Sequence, residues 1–331
     1  MTPLTHADDR TIADLDALVE ETYLLWDEEW VGFSWRNYTH EHMRRVRGLS
    51  TTLADAEGAD MRLVAYAATL HDVTKSYDGE ILTGPDGKRV LDENGFWRNA
   101  TLPPARRNSV TDIYDRLGLS GTVHHASGGQ VARVLLEARG IDADLINGIE
   151  TAIIEHLIAK PDSTLAGRCL YDADTIDANI GMPAFYRNIQ ISLRNQDVQY
   201  SKRGEHFPSW LEENLADFLQ GYLRERIPTW IESKAQDFVP KLMTGAGKAV
   251  ATARLDRLRS TVQTLIEELD DLGRARRQGA MAIVASFMAR RKNPKLVAEL
   301  DAVAAELGSH ALAGPAATLL GHLHLEVAGH G

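Results

Sequence analysis

The chain is poor in cysteine: Cys169 is the single cysteine among 331 residues. One thiol cannot form a disulfide within the chain, and it cannot build a metal cluster held by several thiolates. A metal site in this chain must therefore use nitrogen and oxygen ligands. Because free cysteines are most often buried in protein cores, we expect Cys169 to be a structural thiol.

Long hydrophobic runs and an excess of basic residues are also missing. No stretch approaches the roughly 18–20 apolar residues that a membrane-spanning helix needs. Asp and Glu outnumber Lys and Arg by 47 to 36, which gives a formal net charge of −11. Nucleic acids and anionic membranes require clustered Lys and Arg, so we expect neither as a partner. The first ten residues lack the layout of a signal peptide, and we therefore expect a cytoplasmic location.

Helical periodicity dominates the rest of the sequence. Apolar residues at helical spacing predict helices over residues 11–30, 40–57, 60–75, 107–118, 122–139, 143–159, 165–177, 185–235, 240–272, 276–291 and 294–307. The turn sequence Gly84-Pro-Asp-Gly87 predicts one short β-hairpin that joins residues 81–83 to 89–91. We expect the Ala- and Gly-rich tail from Ala311 to be only loosely packed. The pattern indicates an all-α protein.

Side chains that bind metals recur in order along these helices. The adjacent pair His71-Asp72 closes an apolar helix that begins at Met61. An imidazole and a carboxylate at the end of a buried helix are costly to desolvate unless a cation compensates them. A lone buried histidine is most often a hydrogen-bonded core residue, but a series of six favours a metal site. The remaining members of the series are His42, His125, His156 and Asp174.

Neighbouring histidines leave two positions of this series open. His40 lies two residues before His42, and His124 is adjacent to His125. Either member of each pair could be the ligand. We favour the second histidine in both cases.

The acidic position is open as well, because Asp172 and Asp177 are alternatives to Asp174. Asp172 and Asp174 differ by about 200° around a helix, so they cannot serve the same site equally. Asp177 shares a face with Asp174 and could orient a ligand histidine.

Together these residues resemble the HD-domain superfamily of metal-dependent phosphohydrolases. The signature of that family is an early His, a His-Asp pair and a late Asp on one helical bundle. The early His42 is followed by Arg and Val at the family's offsets, and the His71-Asp72 pair is followed by the family's lysine at Lys75. The segment between Asp72 and His125 is longer than in simple members of the family.

Two further strings are similar to a bacterial branch of HD-domain nucleotide pyrophosphohydrolases. One is Asp172-Ala-Asp-Thr-Ile-Asp-Ala-Asn-Ile-Gly181, in which Thr175 stands where that branch usually has Arg. The other is Lys241-Leu-Met-Thr244, followed ten residues later by Arg254. The resemblance extends over residues 20–270 of the chain.

The resemblance implies a fold and a set of ligands. The fold is an HD-domain helical bundle over residues 1–183, with a hairpin insertion at 78–98, and a helical C-terminal region over 184–331 that packs on it. His42, His71, Asp72 and Asp174 would surround one ion. His125 and His156 resemble the extra histidines of binuclear members, which include cyclic-dinucleotide phosphodiesterases and di-iron oxygenases, and would bind a second ion that shares Asp72. Such ligands suit Mn²⁺ or Fe²⁺ first, and also Co²⁺, Ni²⁺ or Zn²⁺.

Basic side chains near this series are candidates for binding phosphate. Lys75 follows His71 by four residues, so it could contact a phosphate on the metal; alternatively, it is a solvated residue that complements the helix dipole. Other basic residues could also bind phosphate, because guanidinium groups match phosphate oxygens well. Each of them is alternatively an ordinary surface charge. The further candidates are Arg106, Arg107, Arg187, Lys202 and Arg203.

From these residues we expect a metal-dependent phosphohydrolase whose metal-activated water attacks phosphorus. The substrate would be a small phosphate ester or anhydride, a nucleotide first among them. Asp72 would serve as ligand and as proton acceptor, while Lys75 would offset charge on the transferring group. The alternatives are an HD-type di-iron oxygenase acting on a small organic substrate, and a degenerate HD protein that binds or regulates. The sequence leaves the oligomeric state open, with a homodimer among the alternatives.

Overall fold

The computed structural model of the protein describes residues 4–27, 30–31, 34–91, 93, 97–290, 295–308 and 314–328. As predicted, these residues form an all-α protein. The few short antiparallel strands include one pair, at residues 30–31 and 34–35, that the sequence did not predict. The α-helices are α1 (His6–Tyr23), α2 (Arg36–Glu57), α3 (Met61–Leu70), α4 (Ser109–Arg116), α5 (His124–Glu137), α6 (Ala143–Glu155), α7 (Leu165–Asn179), α8 (Met182–Lys202), α9 (Phe207–Glu213), α10 (Leu215–Gly221), α11 (Ile227–Asp237), α12 (Gly245–Glu268), α13 (Leu272–Gln278), α14 (Ala280–Arg290), α15 (Leu296–Leu307) and α16 (Pro315–Val327).

The strands are short and pair locally. They are β1 (Trp30–Val31), β2 (Ser34–Trp35), β3 (Asp78–Ile81) and β4 (Asn99–Thr101), paired β1 with β2 and β3 with β4. Shorter helical segments complete the described elements: 3-10 turns at Lys75–Tyr77, Val239–Lys241 and Leu269–Asp271, and a π-helical segment at Tyr222–Arg226. In the described part of the chain, no helix has both the length and the apolar character needed to cross a membrane.

Contacts divide the chain into two compact units. The first comprises Met1–Asp174 together with Met243–Gly247, and the second comprises Thr175–Leu242 together with Lys248–Gly331. The predicted domains, 1–183 and 184–331, divide the chain nine residues after Asp174. They also assign residues 243–247 to the C-terminal region, whereas these residues belong to the first unit.

The first unit is built around α3. This helix begins at Met61 because the carboxylate of Asp60 accepts the N–H groups of Arg62 and Leu63 at 2.9 and 3.1 Å, which caps the helix. Residues 64–70 are buried, and the helix packs against α1, α2, α5 and α6. Burying an apolar helix on several sides fixes where its last residues point, and those residues lead into the His-Asp pair.

Close approach of α5 to the same region depends on glycine. A Cβ atom added at Gly128 would lie 3.2 Å from the carbonyl oxygen of His71 and 3.5 Å from Oγ1 of Thr74. These distances are tighter than ordinary contacts, so a side chain would push α5 outward. Gly128 thus allows α5 to pack directly on the chain that follows α3.

The helix predicted over residues 11–30 is shorter, since α1 ends at Tyr23. After it, the indole of Trp26 donates to the carbonyl of Leu102 at 3.1 Å and its ring meets Tyr77 edge-on at 4.9 Å. The carbonyl of Leu25 accepts the N–H of Ala105 at 2.9 Å. These long-range contacts replace helical hydrogen bonds, and helical periodicity alone could not reveal them.

The predicted hairpin is present within a longer ribbon. Thr83 bridges Arg89 across the predicted turn, which confirms that pairing. The sequence did not predict the pairing of β3 with β4, which extends the ribbon to Asp78 and Thr101. The N–H of Leu82 donates to Arg98 O at 2.8 Å, while Leu82 O accepts from Val90 at 2.9 Å. Residues 92 and 94–96 of the predicted insertion lie outside the described residues.

The second unit has its core at α14. Residues 281–285 of this helix are buried, and it packs against α8, α13, α15 and α16. The helix predicted over 276–291 is interrupted at Gly279, because the carboxylate of Glu268 accepts the N–H groups of Ala280 and Met281 at 3.0 and 2.7 Å and starts a new helix there. Residue 291 lies outside the described residues. The segment predicted as continuous helix over 185–235 is likewise divided into α8–α11.

The prediction of a loosely packed tail was wrong for the described residues 314–328, which contain α16. Ala316, Leu319 and Leu323 are buried at helical spacing, and Glu326 accepts the N–H of Met182 at 2.6 Å. Ala and Leu are strong helix formers, so the composition favours a helix once an apolar stripe is buried. Residues 311–313 lie outside the described residues.

Candidate metal centre

The His-Asp pair lies on a tight turn just beyond α3, not within the helix predicted over 60–75. Helix α3 ends at Leu70, and residues 71–74 turn before the 3-10 segment. The carbonyl oxygen of Asp72 accepts the hydroxyl of Tyr23 at 2.7 Å and the N–H of Lys75 at 2.9 Å. Both side chains of the pair are fully buried. The turn therefore holds an imidazole and a carboxylate rigidly in the interior of the first unit.

His71 and His156 reach the site by the same local arrangement. Each lies one residue past a helix end, and each Nδ1 faces the carbonyl of the residue three positions earlier: Ala68 at 2.8 Å and Ile153 at 2.5 Å. Because a carbonyl can only accept, Nδ1 carries the proton in both rings. The unprotonated Nε2 atoms then face Asp72, at 3.7 Å from Oδ2 for His71 and 3.7 Å from Oδ1 for His156.

His124 contributes a third imidazole from the first residue of α5. Its Nε2 lies 3.4 Å from Oδ1 of Asp72, and its Nδ1 lies 2.5 Å from Oδ2 of Asp78 on β3. The carboxylate of Asp78 accepts the Nδ1 proton, so Nε2 is again the free nitrogen of the ring.

His42 and Asp174 complete the cluster. The Nε2 atom of His42 lies 2.8 Å from Oδ1 of Asp174, which in turn is 3.9 Å from Nε2 of His71. The rings of His42 and His71 meet edge-on, with centroids 5.7 Å apart. Residues that are 132 positions apart in sequence are thus in direct contact.

Two ligand-like groups result, and they share Asp72. One contains His42, His71 and Asp72; the other contains Asp72, His124 and His156, and within each group the potential ligand atoms lie within 4.8 Å of one another. In the described part of the chain, Nε2 of His71, His124 and His156 is buried without a hydrogen-bond partner. Orphaned buried nitrogens are costly, and a divalent cation would satisfy all of them. The residues present therefore fit a metal.

The electrostatics of the site favour the charge states that metals require. Burial lowers the pKa of His71 to about 4, so its imidazole is neutral at pH 7. Burial alone would raise the pKa of Asp72, but Lys75 and His71 outweigh it and hold that pKa well below its usual range. Burial likewise opposes ionisation of Asp174, yet the hydrogen bond from His42 lowers its pKa. Neutral imidazoles and ionised carboxylates are the forms that coordinate metals.

The geometry selects one histidine from each of the open pairs. His42 belongs to the cluster, whereas the ring of His40 lies 3.9 Å from Asp16 and 3.8 Å from Glu20. In the second pair it is His124 that joins Asp72 and His156, the reverse of the preference for His125. The ring of His125 is fully buried, 6.4 Å from that of His156 between centroids, and burial lowers its pKa to about 3.

The structure also distinguishes Asp174 from its two alternatives, Asp172 and Asp177. Asp172 is fully buried and accepts three hydrogen bonds within the first unit: from Met243 N at 2.8 Å, Thr244 N at 2.8 Å and Thr244 Oγ1 at 2.6 Å. It therefore holds the start of α12. Asp177 is buried and lies in the second unit.

One known protein family matches the segment that carries these side chains. Residues 39–179 match the HD domain family. This match confirms the resemblance to HD domains at the level of the domain, and every member of the cluster lies within it. No curated protein shows significant sequence similarity to the chain.

Two solved structures are similar to the chain at low sequence identity. The crystal structure of a predicted HD superfamily hydrolase from an uncultured Thermotogales bacterium has 17% identity and a TM-score of 0.41, over 77% of this chain and 91% of that one. The structure of Bacillus subtilis YpgQ in complex with ADP has 16% identity and a TM-score of 0.38, over 79% of this chain and 96% of that one. Both are distant similarities.

Among the predicted phosphate-binding residues, the structure brings Lys75 to the cluster. Its Nζ lies 2.9 Å from Oδ2 of Asp72, and its side chain is 33% exposed. Burial disfavours the ammonium, but the carboxylates of Asp72 and Asp174 outweigh this effect and raise the pKa of Lys75. Lys75 is thus a charged group that contacts both the cluster and solvent.

Four of the five other candidates, the arginines, have contacts of their own. Arg106 donates to the carbonyl of Leu24. Arg107 forms ion pairs with Asp112 at 2.8 Å and Asp115 at 2.7 Å. The other three belong to the second unit: Arg187 donates to Ala178 O at 3.2 Å, Arg203 pairs with Glu205 at 3.1 Å, and Lys202 is exposed at the end of α8.

Sequence reasoning missed two residues that shape the site. Tyr23 fixes the backbone of Asp72 from α1, and Asp78 contacts the ring of His124 from β3. The sequence around Asp78 reads only as an Asp-Gly turn, and an aromatic near a helix end is most often core. No local signal could have identified either of them.

Proposed function

We propose that the chain is a metal-dependent phosphohydrolase. The observation that carries the proposal is the convergence of three buried, unpartnered imidazole nitrogens on one ionised carboxylate, Asp72. The match of residues 39–179 to the HD domain family also supports the proposal. A structural core would have no reason to orphan so many polar atoms in one place.

The ligand assignment follows the two groups that share Asp72. His42, His71, Asp72 and Asp174 would hold one ion, while Asp72, His124 and His156 would hold a second. Nitrogen and oxygen ligands without sulfur suit Mn²⁺ or Fe²⁺ first, and also Co²⁺, Ni²⁺ or Zn²⁺. When bound, such ions lower the pKa of a water ligand towards neutrality and polarise a phosphoryl oxygen.

The chain's own residues divide the remaining tasks. Because the pKa of Asp72 is held so low, its carboxylate stays ionised. It would serve better as a metal ligand than as a proton acceptor. Lys75 keeps its charge beside Asp72 and is partly exposed, so its ammonium can contact an incoming phosphate oxygen. That contact would offset charge on the transferring group.

The substrate is proposed to be a small phosphate ester or anhydride, with a nucleotide as the first candidate. The nucleotide proposal rests on the strings over residues 172–181 and 241–254, which resemble HD-domain pyrophosphohydrolases. Arg106, Arg107, Arg187, Lys202 and Arg203 stay candidates for binding the substrate. Of these, Arg107 and Arg203 would have to exchange an existing ion pair for the phosphate.

The test is hydrolysis by the full chain, stripped of metal and reloaded with Mn²⁺ under anaerobic conditions. We expect release of phosphate or pyrophosphate from a panel of nucleotides and phosphomonoesters, loss with chelator and recovery with Mn²⁺. Asp72→Ala should lose bound metal and at least about 1,000-fold in activity, since a metal contributes several kcal/mol to catalysis. Asp86→Ala, a change at an exposed turn, is the matched control and should behave as wild type.

A specific result would replace this proposal with the oxygenase alternative. An inert panel, together with O₂ consumption by the iron-loaded protein and an organic substrate, would show that the ligands serve oxidation. An inert panel without O₂ consumption, from protein that holds metal, would favour a binding or regulatory role.

A further inference from the structure

Asp78 occupies an unusual place beside the metal centre. It is the first residue of β3, and its Oδ2 lies 2.5 Å from Nδ1 of His124, with 14% of its side chain exposed. The opposite nitrogen of the same ring, Nε2, is buried and lies 3.4 Å from Asp72. One carboxylate therefore holds the ring from outside the cluster, while the other nitrogen faces the cluster.

The other histidines of the cluster show why His124 needs this contact. His71 and His156 follow helices, so a carbonyl three residues earlier accepts the Nδ1 proton of each. His124 begins a helix, and no preceding turn of α5 can supply such a carbonyl. An acceptor must come from a different element, and Asp78 supplies it. Thr74 fixes the backbone of His124 separately, through a 3.1 Å hydrogen bond to its carbonyl.

The position of Asp78 is itself set by the ribbon. Asp78 is paired with Thr101 of β4. The next residue, Gly79, passes so close to β4 that an added Cβ would lie 2.6 Å from the carbonyl oxygen of Ala100. Only glycine permits that approach. The pairing of β3 with β4 thus determines where the carboxylate of Asp78 lies.

We propose that Asp78 is a positioning residue that sets the tautomer and orientation of His124 as a metal ligand. The inference rests on the proposed function, since it assumes that Asp72, His124 and His156 hold an ion. A carboxylate on the far nitrogen orients a ligand imidazole and raises its basicity. The paired strands β3 and β4 then support the second ion through His124.

The experiment measures Mn²⁺ binding by the metal-stripped full chain without substrate, by calorimetry and by the electron paramagnetic resonance signal of coupled manganese. Wild type should bind two ions. Asp78→Asn, which keeps the shape but removes the charge, should weaken one ion by about 10- to 100-fold, as loss of a ligand's supporting partner typically does. Asp78→Ala should weaken it at least as much. Glu80→Gln, at an exposed position of the same strand, should bind both ions as wild type.

Two further readouts separate positioning from a merely structural role. The melting temperature of metal-free Asp78→Asn should match that of wild type, and the other ion should bind unchanged. In a His124→Ala background, Asp78→Asn should cause no further loss of Mn²⁺ affinity, because the residue acts through that ring.

The proposal is overturned if both Asp78 variants bind two ions with wild-type affinity, or if Asp78→Asn weakens binding equally when His124 is absent. It is overturned as well if wild type binds no Mn²⁺. Wild-type protein that binds two ions but hydrolyses no phosphate would refute the proposed function while leaving the role of Asp78 standing.

Discussion

In His71, His124 and His156, Nδ1 has a hydrogen-bond acceptor while Nε2 faces Asp72. Sequence order indicated His71 and His156, which lie near helix ends on otherwise apolar faces, but it left His40 open beside His42. It could not choose between His124 and His125. These neighbours differ by about 100° around α5, and their direction depends on how that helix packs, which is a tertiary property.

Lys75 is the residue whose role is most directly open to mutation. Lys75→Ala should retain bound metal but lower kcat/KM on a phosphorylated substrate by about 10- to 100-fold, since it removes a charge that stabilises the transferring group. Metal content by elemental analysis and steady-state kinetics check this prediction. Lys75→Arg keeps the charge and should recover part of the loss.

Unchanged kinetics in Lys75→Ala would mean that Lys75 has no role in turnover and is a solvated charge at a helix end. Loss of metal in the same variant would show instead that its 2.9 Å contact to Asp72 supports the ligand set.

Whole helices were easier to predict from sequence than their ends. The bounds of α6 and α7 lie close to the predicted 143–159 and 165–177 because polar caps and apolar stripes are local signals. The early end of α1 and the pairing of β3 with β4 depend on partners distant in sequence. Periodicity carries no information about such partners.

The contact between α7 and the start of α12 should contribute measurably to the stability of the fold. Asp172→Ala would leave the N–H groups of Met243 and Thr244 and the hydroxyl of Thr244 without their acceptor. We expect a loss of about 2–4 kcal/mol in the free energy of unfolding, because a charged acceptor of several buried donors is removed. Urea denaturation of the metal-free protein measures it.

Asp256→Ala is a control on the same α12 helix, where an exposed carboxylate pairs with Arg259. It should change stability by less than about 0.5 kcal/mol. Equal stability of Asp172→Ala and Asp256→Ala would show that the buried contact contributes nothing to the start of α12.

The stability of the whole chain should depend on pH through its buried imidazoles. Burial lowers the pKa of His71 to about 4 and that of His125 to about 3, against a usual value of 6.5. Below pH 6.5 the unfolded chain therefore binds more protons than the folded chain. The stabilisation from these two imidazoles is fully present above pH 6.5 and is lost as pH falls towards 4. Burial raises the pKa of Glu326, so this carboxyl gains a proton in the folded state first and opposes the loss as pH falls from its raised pKa to its usual 4.5.

Metal-free protein should accordingly unfold more easily at pH 5 than at pH 7. Each of the two histidines contributes on the order of 1–2 kcal/mol over this range. Denaturant titrations at the two pH values measure the difference in the free energy of unfolding. Equal or greater stability at pH 5 would mean that these rings are already protonated in the folded state.

The central claim is that Asp72 lies between two metal ions, and anomalous diffraction from crystals of the Mn²⁺-loaded protein tests it most directly. We predict two manganese peaks that share Asp72, one bound by His42, His71 and Asp174 and the other by His124 and His156. Imidazole nitrogens should lie about 2.0–2.2 Å from each ion, as is usual for transition metals. A map without manganese at Asp72, or with His125 as a ligand in place of His124, would contradict this account.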